Sequence, residues 1–466
     1  MGSRASTTKR KASRAGAGTA TDRLRRILAE NRLGKGHGIY SICSASRFVL
    51  ESGMIQAARD GNILLVESTS NQVNQFGGYT GQTPVQFMSF VQGVAAEMGF
   101  PHRRIVLGGD HLGPHVWRKE PAASAMEKAR EMVKAYVHAG FTKIHLDTSM
   151  PCADDKVDQR RALPEEIISA RAADLCAAAE EAHWEIGPKV TAPLYVIGTE
   201  VPIPGGEETD SKVPEVTRTK DLARTLEIAK EAFLARGLKS AWSRVIAVVV
   251  QPGVEFGDAN VFPYDARKAR PLSRFLNRAW NGVYEAHSTD YQSREALRQM
   301  VLDHFAILKV GPWLTFAFRE AVFALAAIER EWLSGRAGVS LSDLPETLDK
   351  AMLSDPSHWK NYYHGNERDL RIARKYSYSD RARYYWPQAA VSASVGLLLR
   401  NLSASPVPVS LLSQFLPRQA DAVRAGKIEN QPAALIRDHI LEVLGQYAYA
   451  CGCTNAKSAE RCEPVC

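Results

Sequence analysis

RIVLGGDH (Arg104–His111), followed by an amphipathic run over Ala123–Ala139 and then by KIHLDTS (Lys143–Ser149), is the stretch that decides the fold. Two short apolar, β-branched runs separated by a helix-length segment are what neighbouring parallel strands require, because such strands need a crossover rather than a tight turn. The same unit recurs in both directions. GIYSICS (Gly38–Ser44) and NILLVEST (Asn62–Thr69) precede it. PLYVIGTE (Pro193–Glu200), RVIAVVVQPG (Arg244–Gly253), GVYEAHST (Gly282–Thr289) and ILKVGP (Ile307–Pro312) follow, with helical stretches such as Thr219–Gly237 between them. Eight β-then-α units predict a closed (β/α)8 barrel, a TIM barrel, over 36–330. No strand opens a G-x-G-x-x-G turn and no G-x-x-x-x-G-K-[ST] loop occurs, so a dinucleotide fold and a P-loop kinase have no local support.

Helical periodicity resumes beyond Pro312, at Leu314–Leu333, Leu341–Met352 and Leu435–Tyr449, and is broken by YSYSDRARYYWP (Tyr376–Pro387). It predicts a helical extension over 331–450 packed on the barrel. Tyr384, Tyr385 and Trp386 are expected to be its buried anchors, since clustered aromatics dominate buried area. A basic tail and lead-in helix are expected over 1–35, and a Cys-rich tail over 451–466.

A chain of 466 residues with 45% apolar content can bury a large core. The formal charge of +8 lies entirely in residues 1–36, which hold ten Lys and Arg against two acids. The body is neutral and lacks a basic stripe interleaved with aromatics, so no nucleic-acid partner is expected. No run of ~18 uncharged apolar residues occurs, and the N-terminus lacks the apolar segment of a secretory signal, so the expectation is a cytoplasmic protein without a membrane span. Cys451, Cys453, Cys462 and Cys466 follow no common zinc spacing and read as reduced thiols of a frayed end.

What stands where each strand finishes carries the chemistry. Strand two ends in Glu67, strand three in Asp110–His111, strand four in Asp147 and Ser149, and strand five in Glu200. Strand six runs through Gln251 to Glu255, strand seven ends in Glu285 and His287, and strand eight carries Lys309. Ionisable groups in apolar strands are costly to bury unless paired or bound to a metal. A barrel brings these ends to one face. Two histidines with several carboxylates form a ligand set for a divalent metal, zinc, manganese or similar, leaving positions open for substrate oxygens. Glu67, Asp147, Ser149, Gln251 and Lys309 are the expected substrate-binding groups.

Several of these segments also resemble known ones. GGDHLGP around Asp110–His111 and GFTKIHLDTSMPCADD (Gly140–Asp155) are similar to class II aldolase segments, and YVIGTEVPIPGGEE (Tyr195–Glu208) to the aldolase segment that sets a Glu before a Gly-Gly. ESTSNQVNQFGGYTG (Glu67–Gly81), YEAHSTDYQ (Tyr284–Gln292) and KVGPWLTFAFREAVFAL (Lys309–Leu325) resemble the GatZ/KbaZ family, over about Gly36 to Leu402. That family is described as the Z-type, non-catalytic subunit of tagatose-1,6-bisphosphate aldolase. The aldolase resemblance implies Asp110 as acid/base, His111 and His287 as metal ligands, and a catalytic role for Glu200. Class II aldolases take a third His after strand six. This chain reads VVVQPGVEFGD there, which leaves Glu255 as the candidate third ligand with Gln251 beside it. The Gly-rich turn after strand seven is replaced by HSTDYQ, and the Asn after strand eight is absent from KVGPW.

Three functions follow from the resemblance. The chain is a class II aldolase-like partner of a separate catalytic aldolase subunit in tagatose metabolism, or itself a metal-dependent ketohexose or ketohexose-phosphate C4 epimerase, such as a tagatose/fructose 6-phosphate 4-epimerase. A tagatose 6-phosphate kinase has the least support. A homo-oligomer is expected in each case.

Overall fold

The computed structural model describes residues 18–157, 162–198 and 214–453. Its strands in chain order are β1 (Ile39–Cys43), β2 (Leu64–Thr69), β3 (Ile105–Leu112), β4 (Lys143–Leu146), β5 (Leu194–Ile197), β6 (Val245–Val249), β7 (Glu255–Phe256), β8 (Val261–Phe262), β9 (Val283–Ala286) and β10 (Phe305–Val310). β7 and β8 form a small antiparallel ribbon after β6. The other eight pair in parallel and close on themselves as β1-β10-β9-β6-β5-β4-β3-β2, the barrel that the alternating runs predict. The expected helix over Ala123–Ala139 is observed at Ala122–His138, and that over Thr219–Gly237 at Thr219–Ala235.

Side chains alternate across a strand, so every second residue enters the barrel. The interior is layered accordingly. Ile39, Leu65, Val106, Leu194, Val196, Ala247, Val249, Val283 and Ile307 form an apolar lower layer. Two residues further along their strands stand Ser41, Glu67, Glu285 and Lys309, joined by Lys143, all buried. Gly108 lies in this layer on β3, where a Cβ would come within 2.7 Å of Glu67 Cγ, so its missing side chain makes room for that carboxylate. One step higher lie Asp110, His145 and His287.

The amphipathic helix Ala20–Arg32 closes the lower end. Leu24, Ile27 and Leu28 pack onto the apolar layer, Thr19 and Asp22 form a capping box, and Thr21 hydrogen-bonds Thr142 at 2.9 Å. A truncation that reaches Thr19 and Ala20 therefore removes a helix cap and a packed residue, not only tail.

The extension is helical as expected, and its last helix, Pro432–Ala450, packs against Arg47–Arg59, Arg294–Leu302 and Pro312–Leu333. Tyr447 from it hydrogen-bonds the carbonyl of Thr289, just beyond β9, at 2.9 Å. Cys451 is buried and its carbonyl accepts from Gly38 at 3.1 Å, so the chain remains docked past the helix; Cys462 and Cys466 lie outside the described residues. No helix among the described residues is long and apolar enough to cross a membrane. Leu24→Ala should lower unfolding free energy by about 2–4 kcal/mol, measured by chemical denaturation, because a fully buried side chain against a strand layer leaves a cavity.

Candidate active site

The charged layer is the floor of the site. Lys143 Nζ lies 2.8 Å from Glu67 Oε1 and 2.7 Å from Glu285 Oε2. Lys309 Nζ lies 2.6 Å from Glu67 Oε2 and 2.8 Å from Asp110 Oδ1. The Ser41 hydroxyl donates to Glu67 at 2.7 Å. Burial works against the Lys309 ammonium, but Asp110 and its other anionic neighbours outweigh it and hold the pKa well above the ordinary lysine value. Lys309 is thus held as a cation between Glu67 and Asp110.

Above this floor, ligand atoms of Asp110, His111, His145 and His287 all lie within 4.8 Å of one another. Asp110 and His111 are consecutive, and regular strand geometry would turn them to opposite faces. The register between β3 and β4 shifts between Gly109 and Leu112, and His111 sits at φ 49. That left-handed conformation is strained for a side-chain-bearing residue and brings both groups into one mouth.

Each imidazole has a defined partner. His111 Nδ1 donates to Asp147 Oδ2 at 2.7 Å, which leaves Nε2 facing the cluster. Ser149 donates its hydroxyl to the other Asp147 oxygen at 2.7 Å. Burial raises the Asp147 carboxyl, but its bond from His111 prevails and the group stays ionised. Burial also disfavours Asp110 as an anion, yet Lys309 and His111 hold its pKa well below the carboxylate range. His145 Nδ1 lies 3.1 Å from Asp110 Oδ1 and 3.2 Å from the His111 amide nitrogen. His145 Nε2 is buried without a hydrogen-bond partner. Burial pushes His287 down to about 4, keeping it neutral, with Nε2 3.1 Å from Glu285 Oε1.

This donor set fits a divalent cation. An imidazole nitrogen left unpartnered in the interior is costly unless a ligand pairs with it. Burial works against a His111 cation, but Asp110 and Asp147 outweigh it and raise its pKa, so Glu67, Asp110, Asp147 and Glu285 are opposed by Lys143, Lys309 and His111, and carboxylates still outnumber these cations.

Of the sequence-derived candidates, Asp110, His111 and His287 come together in the cluster, and Lys309 borders the cleft that opens over it. Asp147 and Ser149 orient His111, and Glu67 sits in the floor. Glu255 is buried on β7, with Oε1 accepting from the Phe256 amide at 3.0 Å, and stands apart from the four grouped residues. His145 stands with Asp110, His111 and His287 instead. Gln251 turns its carbonyl to the amides of Gly253 and Val254, at 2.7 and 3.0 Å. Glu200 lies outside the described residues. His145 was legible as the middle of Lys143-x-His145-x-Asp147, three polar groups at strand period two. Tyr384 and Tyr385 are buried as expected, Tyr384 also lining the cleft with Arg383 and Tyr79, while Trp386 is only half-buried.

Residues 24–452 match the family described as D-tagatose-1,6-bisphosphate aldolase subunit GatZ/KbaZ-like. The chain belongs to this GatZ/KbaZ-like family. A Sinorhizobium meliloti structure, described as a probable tagatose 6 phosphate kinase, is 44% identical over 89% of this chain and 100% of its own, with a TM-score of 0.80. A Campylobacter jejuni fructose-bisphosphate aldolase aligns at 12% identity over 84% of this chain and 94% of its own, with a TM-score of 0.44. The Escherichia coli YdjI aldolase aligns at 11% over 80% and 96%, with a TM-score of 0.39.

At the cleft's edge, Asp290 Oδ1 accepts from the amides of Gly311 and Trp313, at 3.1 and 2.8 Å, at the start of helix Pro312–Leu333. Burial outweighs these bonds and raises its carboxyl to about 6. A carboxyl with a raised folded pKa stabilises the fold fully below its unfolded pKa near 4, and that contribution is lost as pH rises through 6. Asp290→Asn, which keeps an accepting oxygen, should therefore gain stability relative to the parent between pH 4 and 6, by about 2–3 kcal/mol, and hold that gain above pH 6 in denaturant titrations.

Proposed function

We propose that this GatZ/KbaZ-like barrel binds a divalent metal through His111, His145 and His287, beside Asp110, and performs reversible retro-aldol chemistry on a ketohexose or its phosphate. The observation that carries the reading is the buried group of three imidazoles and one ionised carboxylate at the barrel mouth, with His145 Nε2 unpartnered. A divalent cation held there supplies Lewis-acid polarisation of a ketose carbonyl.

The chain's own groups do the rest. Asp110, ionised beside Lys309, takes the C4 hydroxyl proton. The C4–O bond becomes a carbonyl, the C3–C4 bond breaks, and its electron pair is left on the C2–C3 fragment as an enediolate. Lys309 and the floor keep Asp110 anionic and immobile. Re-addition to the same face of the aldehyde restores the substrate, re-addition after the aldehyde turns gives the C4 epimer, and departure of the aldehyde gives aldol cleavage. Aldolase and 4-epimerase thus share one set of parts.

The family description speaks of a subunit, so a partner role for a separate aldolase chain is the second reading. The ionisable groups layered inside the mouth favour chemistry over a bare scaffold, because their burial is costly and a scaffold has no need of it. The description of the Sinorhizobium protein as a kinase draws no support from the present sequence, which lacks a phosphate-cradling glycine loop.

The purified chain, supplied with Mn2+ or Zn2+, should convert fructose 6-phosphate or tagatose 6-phosphate to its C4 epimer, or cleave tagatose 1,6-bisphosphate to trioses, read by chromatography. Absence of all these products, with stimulation of a co-expressed aldolase subunit instead, would replace the catalytic reading by the partner one. Asp110→Asn should cut turnover ~10²–10⁴-fold. His145→Ala should lower bound metal as well as turnover, measured by elemental analysis, because it removes a ligand.

A further inference from the structure

The turns after the last two strands of a barrel, with the helix N-terminus that follows, are a common seat for a substrate phosphate. Here the amides of Gly311 and Trp313 are already taken by Asp290, whose carboxylate would repel a phosphate at that place. An anionic end of a substrate must therefore be held elsewhere in the cleft.

Across the cleft stands Arg383, contributed by the extension and not by a barrel strand. Its guanidinium donates to the carbonyls of Ser379 and Asp380 and, at 3.0 Å, to the Tyr384 hydroxyl. Asp380 and Asp290 lie near enough to act on its charge, but Asp380 pairs directly with Arg319, and no carboxylate among the described residues makes a direct ion pair with Arg383. Lys309, the other cation lining the cleft, is saturated by Glu67 and Asp110. The turn that bears Arg383 is built rigidly. Asp380, at φ 44, is tied to Thr315 Oγ1 at 2.6 Å and to Arg319 Nε at 3.2 Å. The Tyr378 carbonyl accepts from Tyr291 at 2.6 Å. Thr69, Asn71 and Gln72, lining the same cleft after β2, add short polar groups near the Tyr79–Tyr384 ring pair.

We infer that Arg383 is an anion-binding residue of this cleft and holds the phosphate monoester of a phosphorylated ketose, with Tyr384 steadying its guanidinium. A half-buried arginine anchored on carbonyls and a phenol, with no carboxylate in direct ion-pair contact, keeps donor capacity for an anionic ligand. The inference rests on the reading of this cleft as the sugar site, and it narrows the substrate to a phosphate ester.

Isothermal titration of the metal-loaded full chain with inorganic phosphate, fructose 6-phosphate and fructose tests it. Arg383→Met should weaken inorganic phosphate and fructose 6-phosphate by about ten- to hundred-fold. Fructose affinity, metal content and melting temperature should stay near those of the parent. Arg383→Lys, which keeps the charge but loses the fork, should fall between. Equal phosphate affinity in parent and both variants would overturn the assignment, as would a parent that binds fructose as tightly as fructose 6-phosphate. Phosphate binding that depends on Arg383 in a chain without sugar turnover would uphold the anion site while sinking the retro-aldol reading, so the two failures are distinct.

Discussion

The lattice of Lys143, Glu67, Lys309 and Glu285 inside the barrel is the constraint on which the remainder of the site depends. Four unit charges in a water-free interior are tolerable only if each is paired at hydrogen-bond distance, and here each ammonium bridges two or more carboxylates. Removing one partner from such a set costs about 3–5 kcal/mol, since the orphaned charge cannot reach water. The lattice also carries chemistry upward. Its upper edge is the Lys309–Asp110 contact, which keeps Asp110 ionised where the imidazoles converge.

Around that edge the protein departs from regular geometry where a shared mouth demands it. The left-handed backbone at His111 and the register shift in β3 put two successive side chains on one face. Ser288 and Tyr291, after β9, also lie at positive φ, of 52 and 62, so the loop leaving His287 is strained as well. Such conformations persist only when neighbours over-determine them. Asp147, Ser149 and the Tyr291–Tyr378 contact provide that determination.

The helical extension is more than an outer layer. Pro432–Ala450 packs into the ring of helices, and the segment through Arg383 and Tyr384 folds over the mouth and changes the cleft's charge. With it, the cleft is lined by Arg383 in addition to Lys309, Asp110 and Asp290.

The amino-acid sequence alone determined the barrel, because eight apolar runs with helix-length crossovers between them admit few other closures. It also determined the burial of Asp110, His111 and His287, since these stand where parallel strands end on a common face. His145 was readable from Lys143-x-His145-x-Asp147, for strand alternation puts all three on the inner side. Only tertiary structure decided that His145 and not Glu255 joins the other imidazoles, because the choice depends on the register between β3 and β4 and on the path of the chain after β6. Only tertiary structure, likewise, could bring Arg383 into the same cleft as Asp110 across hundreds of residues: no local periodicity encodes the place of a turn whose position is set by Thr315, Arg319 and Tyr291 on other elements.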